Sequence, residues 1–221
     1  MFYAIVPLNS REYPRLLSGY VYSPPVRLYR IGRPMFFDTD PVAVVGTRDP
    51  TEPGLSVASA VGRLLAERGV PLVTGLSRGV DIYAAHGAAS HGGWVVGVVP
   101  ALYVGGRLYD GILNILKVSD NVTVVAEHYS VSEKEVANVL AARNRIIAGM
   151  SRSVIIPETR YRQSGWGTSY MVKYGIEAGR KVVVVKPQTD DEEVVRGFRY
   201  FVERGAVVAS TPEEAVELAL A

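Results

Sequence analysis

The residues with the most chemical content are arginines set among glycines and hydroxyl side chains. They occur as GTR at 46–48, GLSRG at 75–79 and RNR at 143–145, with a small-residue turn, SGWGT, at 164–168. A guanidinium is a planar fork of N–H donors that matches phosphate or carboxylate oxygens. Glycine lets backbone approach a ligand closely, and the free amides of a helix start attract an anion. Gly46, Thr47 and Arg48, Gly75, Ser77, Arg78 and Gly79, and Ser164, Gly165, Gly167 and Thr168 therefore form three candidate phosphate loops. Any one of them could equally be an ordinary packing turn; three at strand ends point together to a phosphate site. Asp81 falls in a first helical turn, where a carboxylate satisfies free amides, and reads as structural. Arg143 and Arg145 remain open between a solvated helix face and a ligand contact.

Other chemistries find no support. The chain has no cysteine, so thiol nucleophiles, thiolate metal sites and disulfides are excluded together. The spacing of His86, His91 and His128 builds no metal set. The dinucleotide fingerprint GxGxxG is missing, and no acidic residue closes the second strand to hold a ribose, so no cofactor is expected. No catalytic residue is assigned. A formal net charge of +2 makes any basic site local rather than global.

The elements that must position these loops follow from hydropathy. Residues 1–40 are rich in tyrosine and proline and read as an N-terminal extension packing on a core at 41–221. From Val42 onward short β-branched runs alternate with helical patterns. The expected strands are 42–47, 70–75, 94–100, 122–127, 153–158, 181–187 and 206–210; the expected helices lie near 54–68, 79–91, 108–117, 132–149, 167–179, 190–204 and 212–220. Strands apolar at nearly every position and joined by helices imply a doubly wound, mostly parallel sheet with helices on both faces, Rossmann-like in type. Such sheets bind ligands at the carboxyl ends of their strands, where the glycine loops fall. No apolar run is long enough to span a bilayer and the start does not read as a secretory signal, so a cytoplasmic protein is expected.

In order along the chain, GTR (46–48), TGLSRGVDIYAAH (74–86), RNRIIAGMS (143–151) and SGWGTS (164–169) resemble the motifs of the DprA/Smf family, and YP…PPVRLYRIG (13–32) resembles that family's approach to its core. The resemblance implies a single-stranded DNA-binding protein, usually a homodimer, that loads a RecA-like recombinase in DNA-mediated transformation and is not known as an enzyme. It implies a DNA pocket formed by Gly46, Arg48, Arg78, Arg143, Asn144, Arg145, Ser164 and Gly165. Leu140 and Ala141 stand where the family often has an aromatic–proline pair, and Trp166 is a candidate replacement surface. A core-only member is expected, without a winged-helix domain. Because Arg143 and Arg145 are two apart, about 200° around a helix, one is expected to reach the ligand and the other to brace loops or carboxylates, with Arg143 as the DNA contact.

Two alternatives use the same loops. GWGT is similar to a turn in Rossmann relatives that hydrolyse nucleoside monophosphates, but their following glutamate has no counterpart in Ser169, Tyr170 and Met171. The other is a nucleotide sensor that catalyses nothing.

Overall fold

The computed structural model describes residues 2–20, 23–163 and 166–221, and every apolar run expected to be a strand is one. The N-terminal part supplies β1 (Ala4–Pro7), a single-turn helix α1 (Arg15–Ser18) and β2 (Arg27–Gly32). The alternating region opens with β3 (Val42–Val44), α2 (Glu52–Glu67), β4 (Leu72–Thr74), α3 (Val80–Ala89) and β5 (Val95–Val98). Next come β6 (Ala101–Val104), β7 (Arg107–Leu108), α4 (Asp110–Leu116), β8 (Val122–Ala126) and β9 (His128–Val131). Helices α5 (Val136–Ala142) and α6 (Asn144–Met150) lead to β10 (Ser153–Ile156). After it follow α7 (Gly167–Glu177), β11 (Lys181–Val185), α8 (Glu192–Val202), β12 (Val207–Ala209) and α9 (Pro212–Leu220).

Nine strands form one sheet in the order β1-β2-β8-β5-β4-β3-β10-β11-β12. Neighbours from β8 to β12 are parallel, whereas β2 runs antiparallel to both β8 and β1. Side chains alternate across a strand, so each apolar run feeds two cores. Val42, Val44 and Leu72 pack with α2, α3, α4 and α9 on one face, while Ala43, Val45 and Val73 pack with α1, α6, α7 and α8 on the other. The doubly wound fold expected from the sequence is the fold observed. On the first face α2 and α3 meet with backbones almost touching: a Cβ on Gly62 would lie 2.0 Å from the Ala84 carbonyl oxygen.

From β3 the chain steps outward through β4 and β5 to β8, then returns through α5 and α6 to β10 on the other side of β3. The carboxyl ends of β3 and β10 therefore flank the point where loops diverge in opposite directions, and a crevice opens there. The single helix expected over 132–149 is instead two. Its first turn is replaced by a turn in which Glu135 accepts the Ser132 amide and hydroxyl, and its middle breaks at Arg143. The break lets one arginine leave the helix surface and enter the sheet. Among the described residues no helix is long and apolar enough to cross a membrane.

Candidate functional site

A cavity of about 550 Å³ occupies the crevice between the ends of β3 and β10. Its wall includes Gly46, Thr47, Arg48, Ser77, Arg78, Arg143, Asn144, Gly167 and Thr168, so nine of the sequence-based candidates converge on one space. Gly75, Gly79 and Arg145 do not line it, and Ser164 and Gly165 lie outside the described residues.

The two arginines of RNR point in different directions and hold different groups. Arg143 is 5% exposed; its Nη1 donates to the carbonyls of Gly75 and Val98, and its Nη2 donates to Ser77 Oγ at 3.0 Å. These acceptors sit at the ends of β4 and β5, so the guanidinium stitches α5 and α6 to the sheet. Arg145, on the opposite side, makes a two-pronged pair with Glu127 at 2.7 and 2.9 Å. Arg143 thus braces the fold while also lining the cavity, and Arg145 braces it from outside the cavity. A Cβ on Gly75 would lie 2.3 Å from Arg143 Nη1, so this glycine makes room for the guanidinium. Gly79, with φ of 83°, caps α3 against the first loop, where a Cβ would meet the Thr47 carbonyl at 2.5 Å.

Three of the loop amides expected to cradle an anion are already occupied. Asp81 is buried and accepts the amides of Gly46 and Ser77, each at 3.3 Å, and the Thr47 amide donates to the Glu158 carbonyl at 3.0 Å. Burial pushes the Asp81 carboxyl up, opposed by Arg143, by the two amides and by Arg48. Burial pushes the Arg143 guanidinium down, and Asp81 opposes that shift. The second loop also holds Leu76 at φ of 52°, the left-handed region that costs a branched residue energy. Leu76 is held there by burial against Gly97, where a Cβ would lie 2.2 Å from its Cδ1.

What remains available is cationic and lies on the rim. Arg48 and Arg78 are exposed, and neither has a hydrogen bond or ion pair among the described residues. Arg160 and Arg162 join them on the wall, so five arginines line the cavity against Asp49 and Asp81. Sequence reasoning missed this second pair. Arg160 is anchored by Asp191 at 2.8 Å and Glu193 at 3.3 Å, and Arg162 by Glu193 at 3.0 Å. The available signal was the RYR that leaves a strand end (160–162), opposite the acidic start of a later helix. Trp166 faces the cavity and also packs: its Nε1 donates to Thr159 Oγ1 at 3.0 Å, and its ring lies 5.2 Å from Tyr161 and 5.0 Å from Tyr200. Tyr170, one turn further along α7, lines the same wall with 43% of its surface exposed. Asn144 Nδ2 donates to the Gly167 carbonyl at 3.3 Å and ties α6 to the start of α7.

Fold and site together define a doubly wound α/β protein with an arginine-rimmed cavity at its switch point. The family model for DNA recombination-mediator protein A matches residues 4–219, and the chain belongs to that family. It is 26% identical over 185 residues to the DNA processing protein DprA of Bacillus subtilis, covering 81% of this chain and 59% of that one. It spans 49% of the length of other curated relatives. DNA processing protein A from Streptococcus pneumoniae superposes with a TM-score of 0.82 at 26% identity, over 97% of this chain and 74% of that one. The Helicobacter pylori protein shares the fold with a TM-score of 0.79 at 22% identity, over 99% and 95% of the two chains. The resemblance drawn from the four motifs is thus borne out.

Proposed function

We propose that this chain binds single-stranded DNA across the mouth of the cavity, with Arg48 and Arg78 as the phosphate contacts and Arg162 assisting. The observation that carries this reading is the pair of exposed, unpartnered guanidinium groups on one rim, beside a wall that presents the Tyr170 ring. Phosphate contacts supply affinity without reading sequence, and base stacking on an aromatic ring is tolerant of base identity. The Helicobacter pylori neighbour is described as having a single-stranded DNA binding mode, which supports the same assignment here. Asn144, Gly167 and Thr168 complete the wall as positioning groups. The reading extends to DNA processing in the cytoplasm, to transformation, to a RecA-like recombinase as partner and to a non-enzymatic role. It includes a homodimer, for which the free edge strand β12, with Val207 and Val208 exposed, offers an apolar surface.

Fluorescence anisotropy of a labelled oligothymidylate tests the reading. Binding is expected at low salt, with log K falling linearly in log salt concentration by about 0.7 for each phosphate of the single strand neutralised. Absence of binding at low salt, or affinity indifferent to salt, overturns it. Tyr170→Ala is expected to weaken binding by about 1–3 kcal/mol while leaving that slope unchanged, as fits a stacking contact rather than a charge. An unaltered affinity removes Tyr170 from the surface.

A further inference from the structure

We propose that the single strand runs on from the cavity over a row of stacked arginines and tyrosines on α8, so that the binding surface extends past the cavity mouth and holds a further stretch of the same DNA. The proposal rests on reading the cavity as a single-stranded DNA site, and it names the path by which the strand leaves.

That path begins in the cavity wall. Arg162 and Trp166 both line the cavity, and Trp166 is also the centre of a ring cluster that reaches out of it. Tyr161 lies 5.2 Å from Trp166, Tyr200 lies 5.0 Å from it, and the two tyrosines are 5.8 Å apart. An arginine covers each tyrosine. The Arg196 guanidinium sits 3.9 Å from the centroid of the Tyr161 ring, and the Arg204 guanidinium sits 3.4 Å from that of Tyr200. Arg196, Tyr200 and Arg204 follow one another at a spacing of four, so they share one edge of α8 and the turn that ends it.

Ring packing accounts for the two half-buried tyrosines, but it leaves the outer edges of the guanidinium groups unused. Both arginines are exposed. Arg196 has no hydrogen bond or ion pair among the described residues, and Arg204 donates only through Nη1, to the Tyr200 carbonyl at 3.0 Å. A guanidinium laid flat on a ring is fixed in place while its N–H edge stays free for phosphate. At the start of α8, Asp191 and Glu193 are already engaged by Arg160, and Arg162 shares Glu193. Glu192 and Glu203 face solvent on the same helix, which confines the favourable potential to the edge that carries the rings. Cationic groups that follow the backbone beside aromatic rings are the combination that holds single strands without reading sequence. Continuity selects the occupant: a polyanion that leaves the rim past Arg162 and Trp166 meets this row next.

Fluorescence anisotropy with labelled oligothymidylates of about five and about twenty nucleotides, which bracket the ~4–16 nucleotides held by one single-strand-binding fold, provides the test. For the wild type the longer one is expected to bind more tightly and with a steeper dependence of log K on log salt. Arg196→Ala and Arg204→Ala are each expected to weaken the longer one about tenfold and to make its slope shallower by about 0.7, the share of one phosphate, with the shorter one unaffected. Both side chains are exposed, so the fold is expected to be retained. Arg199→Ala is the charge-matched control, since Arg199 is exposed on the same helix and stacks on no ring among the described residues; it is expected to leave both lengths unchanged. Equal weakening of both lengths by the first two variants, or an equal effect from Arg199→Ala, overturns the path. Absence of binding at either length refutes the cavity reading and the path together, whereas binding of the shorter strand with no gain from length refutes the path alone.

Discussion

Arg143→Ala is expected to lower the free energy of unfolding by about 3–5 kcal/mol, the range for removing one partner of a buried charged network. Three acceptors lose their donor at once: the carbonyls of Gly75 and Val98 and the Ser77 hydroxyl. Each buried carbonyl left unpaired costs about 1–3 kcal/mol because the unfolded chain can give it to water. Asp81 also loses the cation that opposes its burial. Against a domain stability of about 5–15 kcal/mol the loss is large. Arg143→Lys keeps the charge but replaces a fork that reaches three acceptors with a single ammonium, so an intermediate loss is expected. Urea unfolding followed by tryptophan fluorescence checks both, as a lower midpoint at unchanged slope. A loss under about 1 kcal/mol for the alanine variant would show that the guanidinium is dispensable to the fold and reopen its assignment as a ligand group.

That expectation exposes where the sequence was readable and where it was not. The seven parallel strands were legible because burial on both faces demands β-branched residues at every position, and VAVVGT or KVVVVKP allows little else. The loops were legible for a related reason: in this fold, small residues after a strand fall where ligands bind. By contrast, β2 is RLYRIG, with arginines that a core strand would not carry, and its pairing with β8 is a tertiary fact that no local pattern encodes. The left-handed Leu76 was hidden because glycine is the residue that usually advertises that conformation.

The roles of the arginines were the least legible part. Sequence places Arg48, Arg78, Arg143 and Arg145 near glycines alike, yet two are exposed and two are spent on carbonyls or a carboxylate. Helical spacing correctly separated the directions of Arg143 and Arg145. It could not say that the inward direction ends on the strand ends. Gly75 carried the missing information in a form readable only afterward, because its lack of a side chain serves the guanidinium of a residue 68 positions away. The same holds for Gly54, whose lack of a side chain makes space for the Glu158 carboxylate.

If the exposed pair is the binding surface, then Arg48→Ala with Arg78→Ala must remove binding without harming the fold. Each phosphate contact from an arginine is worth about 1.5–3 kcal/mol as a hydrogen bond to a charged group, so the double variant is expected to lose at least a hundredfold in affinity. Its slope of log K against log salt should become shallower by about 1.4, because two fewer phosphates of the single strand are neutralised. Stability should stay within about 0.5 kcal/mol of the wild type, since neither side chain is buried or paired. Arg63→Ala, which removes only the i,i+4 partner of Glu67 on α2, is the charge-matched control for each single variant and should alter the slope little. The arginines rest on different loops, after β3 and after β4, so single variants that each lose about 0.7 of slope would indicate that one strand touches both. A double variant that binds as the wild type does would move the interface away from the switch point. A variant that loses affinity at unchanged slope would mean that the arginines shape the mouth of the cavity rather than meet phosphate.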